Sequence, residues 1–301
     1  MHIKISIILA AILALSGCMG PQQRVSKTSD AIIAQALTGR YDSSVMSKLI
    51  TQYRSSDITA EKLETYSDRT LTRLYEALND NTFHSPDNAA LVKMQENVLE
   101  ERVRRKKFFD HNIRDLIMIY LGTRSFDKAA ALKNRFPEFK LPCVPEIIYS
   151  TVSVSGPWRV YDVSDGGKKA QVKALPLAGG PKIVMAMLTG CHVGERAMTE
   201  ILADPEMGPA FRKYGIVVTG KFDSVGVSMW RDYFKFTEVY LTFGKDDFPG
   251  LLLISSPSFN FMRDGKVIAG ITGWGDDSKA EFLKNLHEIL AERANSGKET
   301  K

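Results

Sequence analysis

The spacing of apolar side chains changes once along this 301-residue chain, and the change divides it in two. Between Ser29 and about Phe139 apolar positions recur three and four residues apart, the helical period, and no segment alternates as a half-buried strand does. "SDAIIAQALTG" predicts a helix capped by Ser29 or Asp30, with "DSSVMSKLITQYR" as the next. "SSDITAEKLETYSDRTLTRLYEALND" predicts one long helical segment starting at Asp57 or Thr59. "SPDNAALVKMQENVLEERVRRKKFFD" predicts another, with Pro86 in its first turn. "HNIRDLIMIYLG" and "SFDKAAALKNRFPEF" then form a helical pair joined by "TRS".

Three prolines in "PEFKLPCVPEI" break the helical pattern, and short apolar runs follow. "DVSDGGKKAQV" reads as a hairpin turning at Asp165-Gly166-Gly167, and "KIVMAML" as a buried central strand. A helix from about Val193 to Leu202, a short one near Pro209 to Lys213 and the strand "GIVVTGKF" come next. "VSMWRDYFKFTEVYL" reads as one further helix. "SFNFMRDGKVIAGITG" turns back on itself at Asp264-Gly265, and "DDSKAEFLKNLHEILAERA" closes the pattern as a helix capped by Asp276, Asp277 or Ser278. The expected fold class is therefore two-domain: an all-α N-terminal part and an α/β C-terminal part.

The first residues alter the picture. A weakly basic start, the apolar run "ISIILAAILALSG" and small residues before Cys18 describe a secretory signal rather than a spanning helix. "LSGC" resembles the lipobox of bacterial lipoproteins, which implies cleavage after residue 17 and a lipid, palmitate included, on Cys18. In Gram-negative lipoproteins Asp after the cysteine favours inner-membrane retention. Met19 at that position implies the outer membrane, facing the periplasm. The expected organisation is a signal peptide 1–17, a tether 18–28, a helical domain 29–140 and an α/β domain 145–295.

Losing residues 1–17 removes Lys4 and lowers the formal charge from +5 to +4, on 284 residues that exceed one average domain. So mild a charge, with no interleaved basic and aromatic block, argues against nucleic acid. The run "ERVRRKKFF" reads as a solvated helix face. After Cys18 only Cys143 and Cys191 remain, so a disulfide, two free thiols or one reactive thiol are all open.

Within the helical half, "YLGTRSFDKAAAL" resembles the helix-turn-helix seam of tetratricopeptide repeats, with Tyr120, Gly122, Phe126 and Ala129 to Ala130 at packing positions. "ALTGRYDSSVM" echoes it without a clean repeat period, so a small bundle of helical hairpins fits the same residues.

In the C-terminal half the order of hairpin, strand, cysteine, helix, strand, helix, hairpin and helix resembles the thioredoxin-like superfamily. The hairpin before the central strand is similar to the TlpA/ResA branch of periplasmic redoxins. The resemblance implies that Cys191 is the attacking cysteine and that Pro257, 66 residues on, is the cis proline facing it. It also implies that the backbone of Ser256 pairs with a bound peptide or substrate. The motif departs from the family: "GCHVG" keeps the first cysteine and has Gly194 where the resolving one belongs, so no two-cysteine cycle runs within the motif. A thiolate at a helix start is stabilised by free backbone N–H groups and aligned dipoles. His192 either lies at the sulfur and assists it or points into solvent, and Cys143 in "LPCVP" either resolves an oxidised Cys191 or is inert.

The peroxiredoxin register fails, because Thr189 stands two residues before Cys191 rather than three. Cys191 and His192 are adjacent rather than spaced as soft-metal ligands, and no metal or cofactor is expected. Met185, Met187 and Met198 read as core residues, and Asp247 in "KDDFPG" as a turn residue. Two functions fit the sequence. One is a membrane-tethered periplasmic protein using a single motif cysteine in thiol-disulfide chemistry or redox-linked client handling, with a thiol-containing client as partner. The other is a non-catalytic envelope binding or assembly protein that uses the fold as a groove and the helical domain to recruit another envelope protein. Whether the chain is an enzyme stays open between them.

Overall fold

The computed structural model describes residues 19–39, 42–85, 87–149, 156–253 and 256–291. The expected signal peptide 1–17, the expected lipidation residue Cys18 and Pro86 lie outside the described residues. The chain forms two compact units, Met1–Pro142 and Cys143–Lys301, the first helical and the second a mixed sheet with helices.

The helical unit runs α1 (Pro21–Ala36), α2 (Ser43–Ile50), α3 (Ala60–Glu64), α4 (Asp68–His84), α5 (Ala89–Arg104), α6 (Asp110–Gly122) and α7 (Phe126–Arg135). The expected tether 18–28 is corrected: α1 starts at Pro21, whose missing N–H costs nothing in the first turn of a helix. Ser29 is accordingly not a cap. It is fully buried within α1, its hydroxyl donating to the Val25 carbonyl and bonded to Tyr53 Oη, both at 2.8 Å. The long helix expected from Asp57 or Thr59 is broken at "TYS". Thr59 caps α3, and Ser67 then caps α4 by accepting from the Thr70 N–H at 3.2 Å. α5 starts at Ala89 behind the Asn88 side chain. Fully buried Ile32, Leu63, Leu74, Leu78, Val98 and Ile113 form the interior between these faces.

In the second unit β1 (Glu146–Ile148), β2 (Arg159–Ser164), β3 (Lys169–Ala174), β4 (Pro181–Ala186), β5 (Gly215–Thr219), β6 (Val239–Thr242), β7 (Ser258–Arg263) and β8 (Lys266–Thr272) make one eight-stranded sheet. Its order is β1-β3-β2-β6-β5-β4-β7-β8. β4, β5 and β6 are parallel, whereas β2 and β7 flank them antiparallel. The helices are α8 (His192–Ala203), α9 (Met207–Tyr214), α10 (Ser224–Phe234) and α11 (Asp276–Leu290). The hairpin at Asp264-Gly265 forms as expected, both residues holding positive φ (50° and 78°), as a two-residue turn of this kind requires. At the other turn a Cβ on Gly167 would stand 2.8 Å from Val225 Cα at the start of α10, so only glycine fits.

The helix expected across "VSMWRDYFKFTEVYL" is corrected. It stops at Phe234, Lys235 turns left-handed (φ 50°), and Val239–Thr242 is the buried strand β6. Alternation sorts the sheet into two faces. Val184, Ala186, Ile216, Val218 and Tyr240 share one cluster with Val160 and Met262. On α11, Phe282 meets Phe259 and Phe261 with ring centroids 5.5 and 5.0 Å apart. The methionines Met185, Met187 and Met198 are buried.

Candidate functional site

Strand directions decide what gathers around Cys191. β4 and β5 run parallel, so the chain leaves both at the same end of the sheet, and β7 starts there because Ser258 pairs with Ala186. This carboxyl end of parallel strands is where open α/β sheets place ligands. The loop after β4 (Met187–Cys191), the start of α10 after β5, and the Ser256-Pro257 pair before β7 meet at this end.

Cys191 is the N-cap of α8, its backbone extended (φ −83°, ψ 103°) and its side chain making no cap hydrogen bond. Its Sγ instead donates to the Ser256 carbonyl at 3.5 Å. Ser256 Oγ accepts the Leu188 N–H at 2.9 Å, tying the two loops together on either side of the sulfur. Pro257 is buried and follows a cis peptide bond. Cys191 and Ser256-Pro257, separated by more than sixty residues, therefore share one site.

His192 takes the solvent alternative: its side chain is 97 % exposed and Nδ1 lies 3.7 Å from a Glu195 carboxylate oxygen. Arg196 is also turned away, donating to the Trp274 carbonyl at 3.1 Å. Trp274 Nε1 donates to Glu200, whose carboxyl is held below its ordinary range by hydrogen bonds from Lys279 and then Trp274. Cys143 is free and half-buried, donating to the Gly167 carbonyl at 3.5 Å beside the turn between β2 and β3. Cys191 is free as well, so each thiol rests on a carbonyl of a different loop.

Two features of the site carry no sequence signal. A Cβ on Gly194 would lie 2.6 Å from Met187 Cγ and 2.7 Å from its sulfur, so the space beside Gly194 is occupied by a neighbour's side chain. Thr189 Oγ1 is buried without a hydrogen-bond partner, and its methyl packs where Gly226 of α10 lacks a side chain. Asp247 is more than a turn residue: it is buried, pairs with Arg159 at 2.5 Å and accepts the Trp158 N–H on its carbonyl. Among the described residues no group of three or more His, Cys, Asp or Glu side chains is arranged to hold a metal ion, and no helix is long and apolar enough to cross a membrane.

No family model, curated protein or solved structure matches this chain.

Proposed function

We propose that the C-terminal unit is a thioredoxin-like domain of the TlpA/ResA kind, held in the periplasm by a lipid on Cys18, in which Cys191 exchanges disulfides with a client protein. The observation that carries this reading is the thiol of Cys191 at the cap of α8, against the carbonyl that precedes Pro257. A client backbone laid along Ser256 would bring its disulfide to that sulfur. The Cys191 thiolate attacks one client sulfur, a Cys191–client disulfide forms, and the other client sulfur leaves as a thiolate. A second client thiolate then attacks the mixed disulfide and releases Cys191. Electrons balance within the client, so the cycle isomerises disulfides and needs no resolving cysteine in the motif. The outer-membrane assignment follows from the same lipobox reading, with Met19 after the cysteine.

A non-catalytic binding role is favoured by a different observation. Val225, Met229 and Tyr233 recur every four residues on α10, and all three are exposed, as are Leu188 and Val193 near the thiol. Alkylation of Cys191 in the chain starting at Met19, with Cys143→Ala as background, separates the two. Rapid labelling at neutral pH, with clients trapped as mixed disulfides, supports exchange. Labelling slower than that of a free cysteine peptide removes the catalytic reading and leaves the apolar stripe as the working surface.

A further inference from the structure

We infer that one end of the helical unit is a membrane-docking face that binds an anionic phospholipid surface directly, independently of any lipid on Cys18. Three segments distant in sequence meet at this end. The first is the start of α1: Arg24 donates to the Met19 carbonyl and is paired to buried Asp57 at 2.9 Å, so Met19 is fixed to the body of the unit. The second is α3 and its exit: Lys62, Thr65 and Tyr66 line an open cavity of about 420 Å³ with Gly20 to Gln23. The third is the end of α5, where Arg105 donates to the carbonyls of Leu63, Glu64 and Tyr66 at 2.8–3.0 Å and so lays the basic run against α3.

Arg105, the second residue of the run "RRKKFF", thus lies against the α3 exit that lines the cavity with Gly20 to Gln23, and the rest of the run follows it in the chain. Lys62, Lys106 and Lys107 are exposed and carry no ion pair among the described residues. Phe109 follows them, 63 % exposed with one face stacked on His111 at 5.5 Å, while its neighbour Phe108 packs against Phe136 with ring centroids 5.4 Å apart. Unpaired lysines next to an outward aromatic ring suit the headgroup layer of a bilayer, where the amines meet phosphates and the ring enters the interface. A single acyl chain anchors weakly, and a basic patch is one of the second signals that makes anchoring stable. The placement of Lys62 and Arg105 near the start of α1 rests on the described residues alone. Its pairing with a lipid on Cys18 rests on the lipobox reading.

Flotation with vesicles tests it, using the chain from Met19 on, which keeps every described element and has no lipid of its own. Vesicles of phosphatidylethanolamine with phosphatidylglycerol should carry the protein upward, and pure phosphatidylcholine vesicles should not. Binding should fall with added salt. Lys62→Glu with Lys107→Glu should weaken it at least about tenfold, and Phe109→Ser should weaken it without changing the salt dependence. Lys284→Glu on α11, in the other unit, should leave it unchanged. Absence of binding at low salt, or an equal loss in Lys284→Glu, overturns the inference. The lipoprotein reading is decided separately, by the mass of the N-terminal peptide from membranes.

Discussion

Met187 occupies the space that a side chain on Gly194 would need, with its Cγ 2.6 Å from the position of the missing Cβ. The position three residues after Cys191 is therefore filled from within the fold. Gly194→Cys should destabilise the C-terminal unit by about 1–3 kcal/mol, the usual penalty for overpacking. It should form little disulfide with Cys191. Met187→Ala in the same chain should recover part of the loss, and a double-mutant cycle in urea reads the coupling directly. A Gly194→Cys protein as stable as the parent would show that the packing yields easily.

Ser256 acts on the site by joining its two loops. Ser256→Ala leaves the Leu188 N–H without its acceptor and should cost about 1 kcal/mol. The Ser256 carbonyl, which receives the thiol, remains in place. The rate of Cys191 alkylation should change more than the stability does. Equal, small changes in both would mean that the loops hold their positions without the hydroxyl.

Arg105 is the main tie between α3 and α5. Besides three carbonyls it pairs with Asp68 at 2.9 Å and with the buried Glu101 carboxylate at 2.5 Å. Arg105→Ala should lower the stability of the helical unit by on the order of 3 kcal/mol. Arg105→Lys should recover little, because an ammonium group lacks the planar fork that reaches several acceptors at once. Thermal unfolding of both variants checks this.

Two aspartates should give opposite pH signatures. Burial raises Asp115, with His111 and Arg114 pulling the other way, so its folded value lies above its unfolded one. Its contribution is full below the unfolded value, about 3.9, and is lost as pH rises through the folded one. Asp115→Asn should thus stabilise the helical unit at neutral pH, by a margin that shrinks in acid. Burial acts to raise Asp162 as well, but hydrogen bonds from Lys173 and Arg231 reverse it, and the net shift is downward. That contribution is present above the unfolded value and lost as pH falls through the folded one. Asp162→Asn should destabilise at neutral pH, with the difference fading in acid. Urea unfolding between about pH 7 and about pH 4 measures the first, and carrying the series down to about pH 2 measures the second.

The sequence disclosed what local chemistry controls. Asp264-Gly265 marked its hairpin, the prolines near Cys143 marked the division of the chain, and the apolar run at Ile183 to Ala186 marked the central strand. It failed where the deciding contact was distant. Nothing local says that Lys235 turns left-handed, so β6 was hidden in a helical pattern of aromatic and aliphatic residues. Ser29 resembled a cap, yet its partner is Tyr53 on another segment. The nearness of Cys191 to the Ser256-Pro257 pair was implied by a resemblance and by no local signal. The filling of Gly194 by Met187 was not legible either, since it depends on how β4 exits over the first turn of α8.

The early start of α1 has a mechanical consequence. Eleven residues of loose chain, from Cys18 to Thr28, would let an attachment point wander over about 18 Å. With helix from Pro21 and the Met19 carbonyl gripped by Arg24, that play is gone. Met19 therefore follows the helical unit wherever that unit turns, as a hinge leaf follows its door.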